Sequence, residues 1–283
     1  MSRLTPELAQ WLDAQKARGC EPGSMVAAMV TAGHPRKFAE EAIAALFNGK
    51  TLQPAEGVAV MANDEVRKHI MNAPNAIEAA GHTVEVLFAM AKPRIVLFGN
   101  VLTAAECDEL IAQSRPKLKR AEVVDPATGQ YKVDDSRTSE GTHFARGETA
   151  LISRIEARVA ELTGIEVPCQ EPLQILHYGI GGEYEPHYDF FDPGSSGEST
   201  QLKNGGQRVA TLVMYLNDVD AGGATLFPQV GVETKPQKGH AVYFENVDEG
   251  GRTNPQTLHA GAPVGQGEKW IATKWLREKP YVV

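Results

Sequence analysis

His187 and Asp189 stand two residues apart in the run Tyr184-Glu-Pro-His-Tyr-Asp-Phe190. In an extended segment, side chains two apart point to the same side. That spacing aims an imidazole and a carboxylate at one point. A second imidazole is on offer from His259, in Gln256-Thr-Leu-His-Ala-Gly261, ahead of a strand-like stretch. Two histidines and one carboxylate fill one face of an octahedral metal and leave three adjacent positions open. This donor set suits non-haem Fe(II), with room for a bidentate co-substrate and for O2. A His-x-Asp triplet alone arises often by chance, so its company matters. Lys269 follows His259 by ten residues, in Gly267-Glu-Lys-Trp270. A turn near Gly261 to Gly267 would fold it back toward the metal. A lysine's ordinary fate is a solvated strand edge. A buried ammonium, by contrast, needs an anion, and the far carboxylate of 2-oxoglutarate would supply one to a point charge.

These residues need a rigid frame. From Pro172 onward short β-type runs alternate with Gly, Pro and Asn turns: Leu173 to Tyr178, Arg208 to Leu216, Ala241 to Phe244 and Lys269 to Leu276. Many short strands with turns between them predict a sandwich or barrel. Upstream, Arg94 to Gly99 reads as a strand. Thr103 caps a helix running to about Arg115, with Glu106 completing a capping box. Ser153 to Thr163 reads as an amphipathic helix. Asp192 to Gly206, rich in Gly and Ser, reads as a long mobile loop.

Residues 1–50 predict a small helical bundle, a candidate interaction module. Leu4, Leu8, Trp11 and Leu12 recur at helical spacing behind Thr5-Pro6, a cap and first-turn proline. Ser24 opens a second helix with Met25, Ala28 and Met29 on one face. Lys37 to Phe47 forms a third, with Phe38, Ala42, Ile43 and Leu46 inward. Residues 51–93 read as a linker packing on the core, with a helix over Asn63 to Met71. Residues 94–283 form the domain that carries the chemistry.

The net charge of −8 argues against a nucleic-acid partner, because neutralising phosphates takes clustered Lys and Arg. No apolar run is long enough to span a bilayer and the start lacks a signal-peptide profile, so a membrane role is not expected. Cys20, Cys107 and Cys169 are few and scattered, which suits a reducing cytoplasm.

From about Arg94 to Leu276, roughly two-thirds of the chain, the sequence resembles the catalytic domain of prolyl 4-hydroxylases, within the Fe(II)/2-oxoglutarate dioxygenases. The stretches that carry the resemblance are Arg137-Thr-Ser139, Leu173-Gln-Ile-Leu-His-Tyr178, Tyr184 to Phe190, Gln207 to Asn217, Gly222-Gly-Ala-Thr-Leu-Phe-Pro228, His259-Ala-Gly-Ala-Pro-Val264 and Gly267-Glu-Lys-Trp270. The resemblance implies an α+β fold: a double-stranded β-helix (jelly-roll) catalytic core with flanking helices, beside the small N-terminal helical domain. It implies His187, Asp189 and His259 as metal ligands and Lys269 as the partner of the 2-oxoglutarate C5 carboxylate. Tyr178 would reach the same carboxylate, and Thr211 would line that pocket. Tyr184, Trp275 and Arg137 would stand on the substrate side. The 192–206 loop would close over a peptide. One departure is Ala224, where many members carry Glu.

The activity implied is hydroxylation of prolyl residues in a peptide or protein, with 2-oxoglutarate and O2 converted to succinate and CO2. The same cofactors acting on a free amino acid, another side chain or a small metabolite form the alternative. A requirement for ascorbate and assembly as a homodimer stay open. A non-catalytic jelly-roll module is the rival from another class. The N-terminal helices faintly resemble ubiquitin-associated-like modules, with a packing or dimerisation role as the plain alternative.

Overall fold

The computed structural model describes residues 6–31, 36–47, 75–124, 130–195 and 197–282. The chain divides into two compact units, Met1–Val60 and Met61–Val283. In the first, helices α1 (Pro6–Ala17), α2 (Pro22–Thr31) and α3 (Arg36–Phe47) enclose a core of Leu12, Met25, Met29, Ala39, Ala42, Ile43 and Leu46. The second helix starts at Pro22, two residues before the expected Ser24. Proline's fixed φ suits a first helical position, and the Ser24 hydroxyl donates to Glu21 O at 2.7 Å. The expected cap at Thr5, the side chain of Phe38 and the helix over Asn63 to Met71 lie outside the described residues.

Among the described residues, the second unit has seventeen strands. In chain order these are β1 (Ala76–Ala79), β2 (His82–Met90), β3 (Ile95–Gly99), β4 (Lys119–Arg120), β5 (Glu122–Val124), β6 (Tyr131–Val133), β7 (Glu140–Phe144), β8 (Leu173–Tyr178) and β9 (Tyr184–His187). They continue as β10 (Arg208–Tyr215), β11 (Ala221–Gly222), β12 (Thr225–Phe227), β13 (Val232–Thr234), β14 (Ala241–Glu245), β15 (His259–Gly261), β16 (Val264–Gln266) and β17 (Lys269–Arg277). A nine-stranded sheet runs β1-β2-β3-β14-β10-β17-β8-β7-β4, and a four-stranded one runs β13-β12-β15-β9. Their inner faces share one core, where Phe227 of β12 meets Phe244 of β14 edge to face at 5.1 Å. This is the jelly roll the sequence predicts.

Among the described residues, two long helices pack against the large sheet. Helix α4 (Ala104–Ser114) follows the predicted box: Glu106 N–H donates to Thr103 Oγ1 at 3.1 Å, and Thr103 N–H to Glu106 Oε2 at 2.9 Å. Helix α5 (Ala150–Thr163) begins three residues before the expected Ser153, because Thr149 accepts the Ile152 N–H. Its Glu156 takes the fully buried Lys274 ammonium at 2.7 Å. Strand β17 therefore carries two buried faces. Trp270, Ala272, Lys274 and Leu276 share one, while Lys269, Ile271, Thr273 and Trp275 turn into a cleft.

Two stretches differ from the sequence reading. Within the expected 51–93 linker, residues from 76 to 90 form β1 and β2 and extend the large sheet through β3. Ile77, Ala79 and Val84 do alternate inward, but a register shift between Val86 and Phe88 breaks the pattern and leaves Leu87 and Phe88 exposed. Within 192–206, a short helix α6 (Glu198–Gln201) interrupts the loop. The loop's root is clamped by the Gln207 side chain, which bonds both N–H and C=O of Phe191 at 2.8 Å. No helix among the described residues is long and apolar enough to cross a membrane.

Candidate active site

Strands β9 and β15 pair antiparallel and set His187 directly opposite His259. Asp189 lies just past the end of β9. One ligand atom from each of the three lies within 4.8 Å of the others. Each imidazole is held by the backbone carbonyl two residues before it: the Nδ1–H of His187 donates to Glu185 O at 2.8 Å, and that of His259 to Thr257 O at 2.9 Å. A carbonyl only accepts, so Nδ1 carries a proton, which leaves Nε2 as the ligating nitrogen of the neutral ring. Those Nε2 atoms face the carboxylate, His187 at 3.9 Å from Oδ1 and His259 at 3.6 Å from Oδ2. Burial, reinforced by His259, presses the His187 imidazole down to about 3, which keeps it neutral as a metal ligand must be. Burial alone would raise the Asp189 carboxyl. The facing imidazoles, Arg208 and the Thr211 hydroxyl outweigh it and hold the group below its ordinary range. Two imidazole nitrogens and one carboxylate oxygen converging in this way fit a divalent iron.

Neighbouring side chains fix these ligands. Thr211 Oγ1 donates to Asp189 Oδ2 at 2.7 Å and accepts from Asn246 Nδ2 at 3.0 Å. Tyr184 stacks on His187 at 3.6 Å with planes 20° apart, and the Arg137 guanidinium lies 4.8 Å from the tyrosine ring. Phe244 packs on His259 at 4.6 Å.

Lys269 opens β17 opposite Tyr178 of β8, its ammonium 5.5 Å from the tyrosine ring centre. It is 3% exposed. Burial alone lowers its pKa to about 8, and no carboxylate pairs with it among the described residues. An uncompensated ammonium of this kind is a cradle for an anion. The turn that returns it is built in two steps. Strand β16 first pairs with β11, and Gly267 then reverses the chain.

The ligands, Lys269, Tyr178, Tyr184, Arg137 and Trp275 all line one cleft of about 1460 Å3. Thr211, expected on the pocket wall, does not. It is fully buried behind Asp189, where it orients the carboxylate. Arg137 does more than border the cleft, donating to Gln174 Oε1 at 2.9 Å and Glu122 O at 3.1 Å. Ala224 is buried, and its carbonyl accepts the Ala262 N–H, a contact that any side chain there would allow.

Several residues went unnoticed in the sequence. Gln174 joins Arg137 to His143, whose Nε2 accepts its amide at 3.0 Å. Alternation with Leu176 and Tyr178 was signal enough to place it inward. Arg208 makes two bonds to Glu171, at 2.7 and 2.9 Å, and covers the Trp275 ring at 3.8 Å. His177 is not among the cleft-lining residues and bonds Glu268 at 2.8 Å.

Residues 173–277 match the family model described as 2OG-Fe(II) oxygenase superfamily. Prolyl 4-hydroxylase 5 of Arabidopsis thaliana is 39% identical over 211 residues, 68% of this chain and 71% of that protein. The prolyl 4-hydroxylase subunit alpha-1 of Gallus gallus is 41% identical over 190 residues, 66% of this chain and 36% of that subunit. The chain thus spans about a third of the length of such alpha subunits. Among solved structures, the 2OG complex of a viral collagen prolyl hydroxylase from Paramecium Bursaria Chlorella virus-1 superposes with a TM-score of 0.51 at 32% identity. It covers 65% of this chain and 95% of the viral one.

Proposed function

The chain belongs to the prolyl 4-hydroxylase family of 2-oxoglutarate- and Fe(II)-dependent oxygenases, and from that premise we propose that it hydroxylates prolyl residues of a peptide or protein. The observation that carries this reading is the meeting, in one cleft, of three preset metal donors and a buried ammonium that pairs with no carboxylate among the described residues. His187, Asp189 and His259 would hold the iron. Bound there, Fe(II) supplies the redox chemistry that couples decarboxylation of 2-oxoglutarate to insertion of one oxygen atom into a substrate C–H bond. Lys269 would neutralise the far carboxylate of the co-substrate, with Tyr178 beside it. Thr211 and Asn246 keep the Asp189 carboxylate in place, and the carbonyls of Glu185 and Thr257 keep both imidazoles in the ligating tautomer. Tyr184, Arg137 and Trp275 would wall the substrate side and exclude water.

The cleft favours a peptide over a free amino acid. Pockets for small ligands run to roughly 300–1,000 Å3, and this one exceeds that range. A non-catalytic jelly roll would have no reason to keep an unpaired lysine buried, at a cost to its own stability.

The test is mass spectrometry of prolyl peptides incubated with the protein, Fe(II) and 2-oxoglutarate. One added oxygen on proline with matching succinate is expected, and loss of both in Asp189→Ala. Succinate release driven only by free amino acids, with no peptide modified, would overturn the reading.

A further inference from the structure

The segment that carries Asp189 has a second side. Side chains alternate along an extended run. While His187 and Asp189 converge on the metal position, Pro186, Tyr188 and Phe190 occupy the intervening places. Pro186 and Tyr188 are exposed, Phe190 is half-buried, and all three line the rim of the same cleft. Tyr188 is 41% exposed although it adjoins a buried carboxylate. Its ring stacks on Phe190, centroids 4.6 Å apart and planes 27° apart. Strand β9 is the outer strand of its sheet. The neighbouring segment follows it only to Glu185, whose N–H donates to Ser136 O at 2.9 Å.

A stacked aromatic pair left facing water forgoes the free energy of burial. Such a pair presents a flat apolar surface of the kind that receives proline rings in aromatic-lined grooves. Charge does not compete with it as a selector: the basic side chains that line the cleft, Lys117, Lys119, Arg120 and Lys132 among them, are balanced by as many acidic ones, Glu185, Asp192, Glu198 and Asp134 among them. Resting on the prolyl hydroxylase reading above, we propose that Tyr188 and Phe190 form a docking platform for the substrate residue flanking the reacting proline, and that they select an apolar, prolyl flank. Both rings line the same cleft as His187, Asp189 and His259, which puts them within reach of a peptide that presents its proline to the metal position.

Two labelled peptides test this. Both carry one central proline, flanked in one by prolines and in the other by glycines. Their binding to the full chain loaded with Fe(II) and 2-oxoglutarate is read by fluorescence anisotropy under nitrogen, without turnover. The expected preference for the proline-flanked peptide is about tenfold, the loss typical of a truncated anchor residue. Tyr188→Ala and Phe190→Ala should each abolish much of it, whereas Tyr188→Phe, which keeps the ring, should retain it. Proline also stiffens the free peptide, but that contribution is common to every variant and cancels in the comparison. A preference undiminished in both alanine variants, or absent from the unaltered protein, overturns the platform. Hydroxylation of the same peptides in air separates the two readings. Preference lost as expected, with no hydroxyproline formed on any peptide, supports the platform and sinks the prolyl hydroxylase reading instead.

Discussion

Lys269 is held in a state that water would not choose for it. Its folded pKa, about 8, lies below the 10.5 of a free lysine. Between those values the unfolded chain binds more protons than the folded one, so folding gains stability as pH rises through that window. Below pH 8 the protein bears the full cost of a buried charge. Lys269→Met, similar in volume and uncharged, is therefore expected to raise the melting temperature of the 2-oxoglutarate-free protein at pH 7. That advantage should shrink as pH climbs from 8 toward 10.5. Saturating 2-oxoglutarate should stabilise the unaltered protein by mass action and the variant far less. Scanning fluorimetry across pH, with and without co-substrate, reads both effects. Equal protection of the two proteins would show that the lysine does not meet the diacid. The residues of this site were legible to very different degrees. His187 and Asp189 are two apart on one short run, so their shared direction follows from strand geometry alone. The Asn246–Thr211–Asp189 relay was not legible, because it depends on which strands are neighbours and in what register.

The elements around Lys269 are shaped by a position where only glycine fits. Gly222 has φ of +73°, and a Cβ there would stand 2.2 Å from Pro263 O and 2.7 Å from Gly265 N, both backbone atoms. The strand pair β11–β16 would have to part to admit it. The adjoining Gly223 would bring a Cβ to 3.4 Å from Lys269 Cδ, so this pair also forms the wall of the lysine's pocket. Gly222→Ala is expected to cost more than about 2 kcal/mol, left-handed strain plus the displaced backbone, and to raise the KM for 2-oxoglutarate. Gly231 makes a matched control: its φ is +66° but nothing lies within 4 Å of a Cβ, so its alanine variant should show the strain alone. Urea unfolding of the two variants compares them, and equal losses would mean that the β11–β16 approach is not a constraint. Local chemistry made some elements readable and hid others. The capping box of α4 is complete within four residues, and its helix was placed correctly. The β1–β2 hairpin turns on Ala80 and Gly81, both at positive φ. Ala-Gly is not the Asn-Gly or Asp-Gly pair that announces such a turn, and with the strand pattern broken by a register shift the segment looked like a linker.

At the level of the whole molecule, the chemistry and the N-terminal helices are separable on the residues that build them. Every described residue lining the cleft falls between Lys117 and Tyr281. Among the described residues, the helical unit has a core of seven buried apolar side chains, Leu12 to Leu46. A core this small gives little stability of its own. Its sequence periodicity sufficed to predict three helices, because each has apolar residues at three- and four-residue intervals. What the unit does was not readable, since a packed face and a recruiting face use the same residue types. Removing residues 1–50 decides between those roles. If the unit recruits a protein substrate, the truncated chain should keep kcat and KM for a short prolyl peptide, because the cleft is intact. Its kcat/KM on a folded protein carrying the same sequence should fall through KM alone, by about tenfold or more if even a modest second contact is lost. If the helices only brace the fold, truncation should lower the melting temperature and depress turnover of both substrates together. Parallel steady-state assays on the two substrates, with a thermal melt of each protein, separate the outcomes. Unchanged kinetics on the folded substrate would show that the helical unit takes no part in its capture.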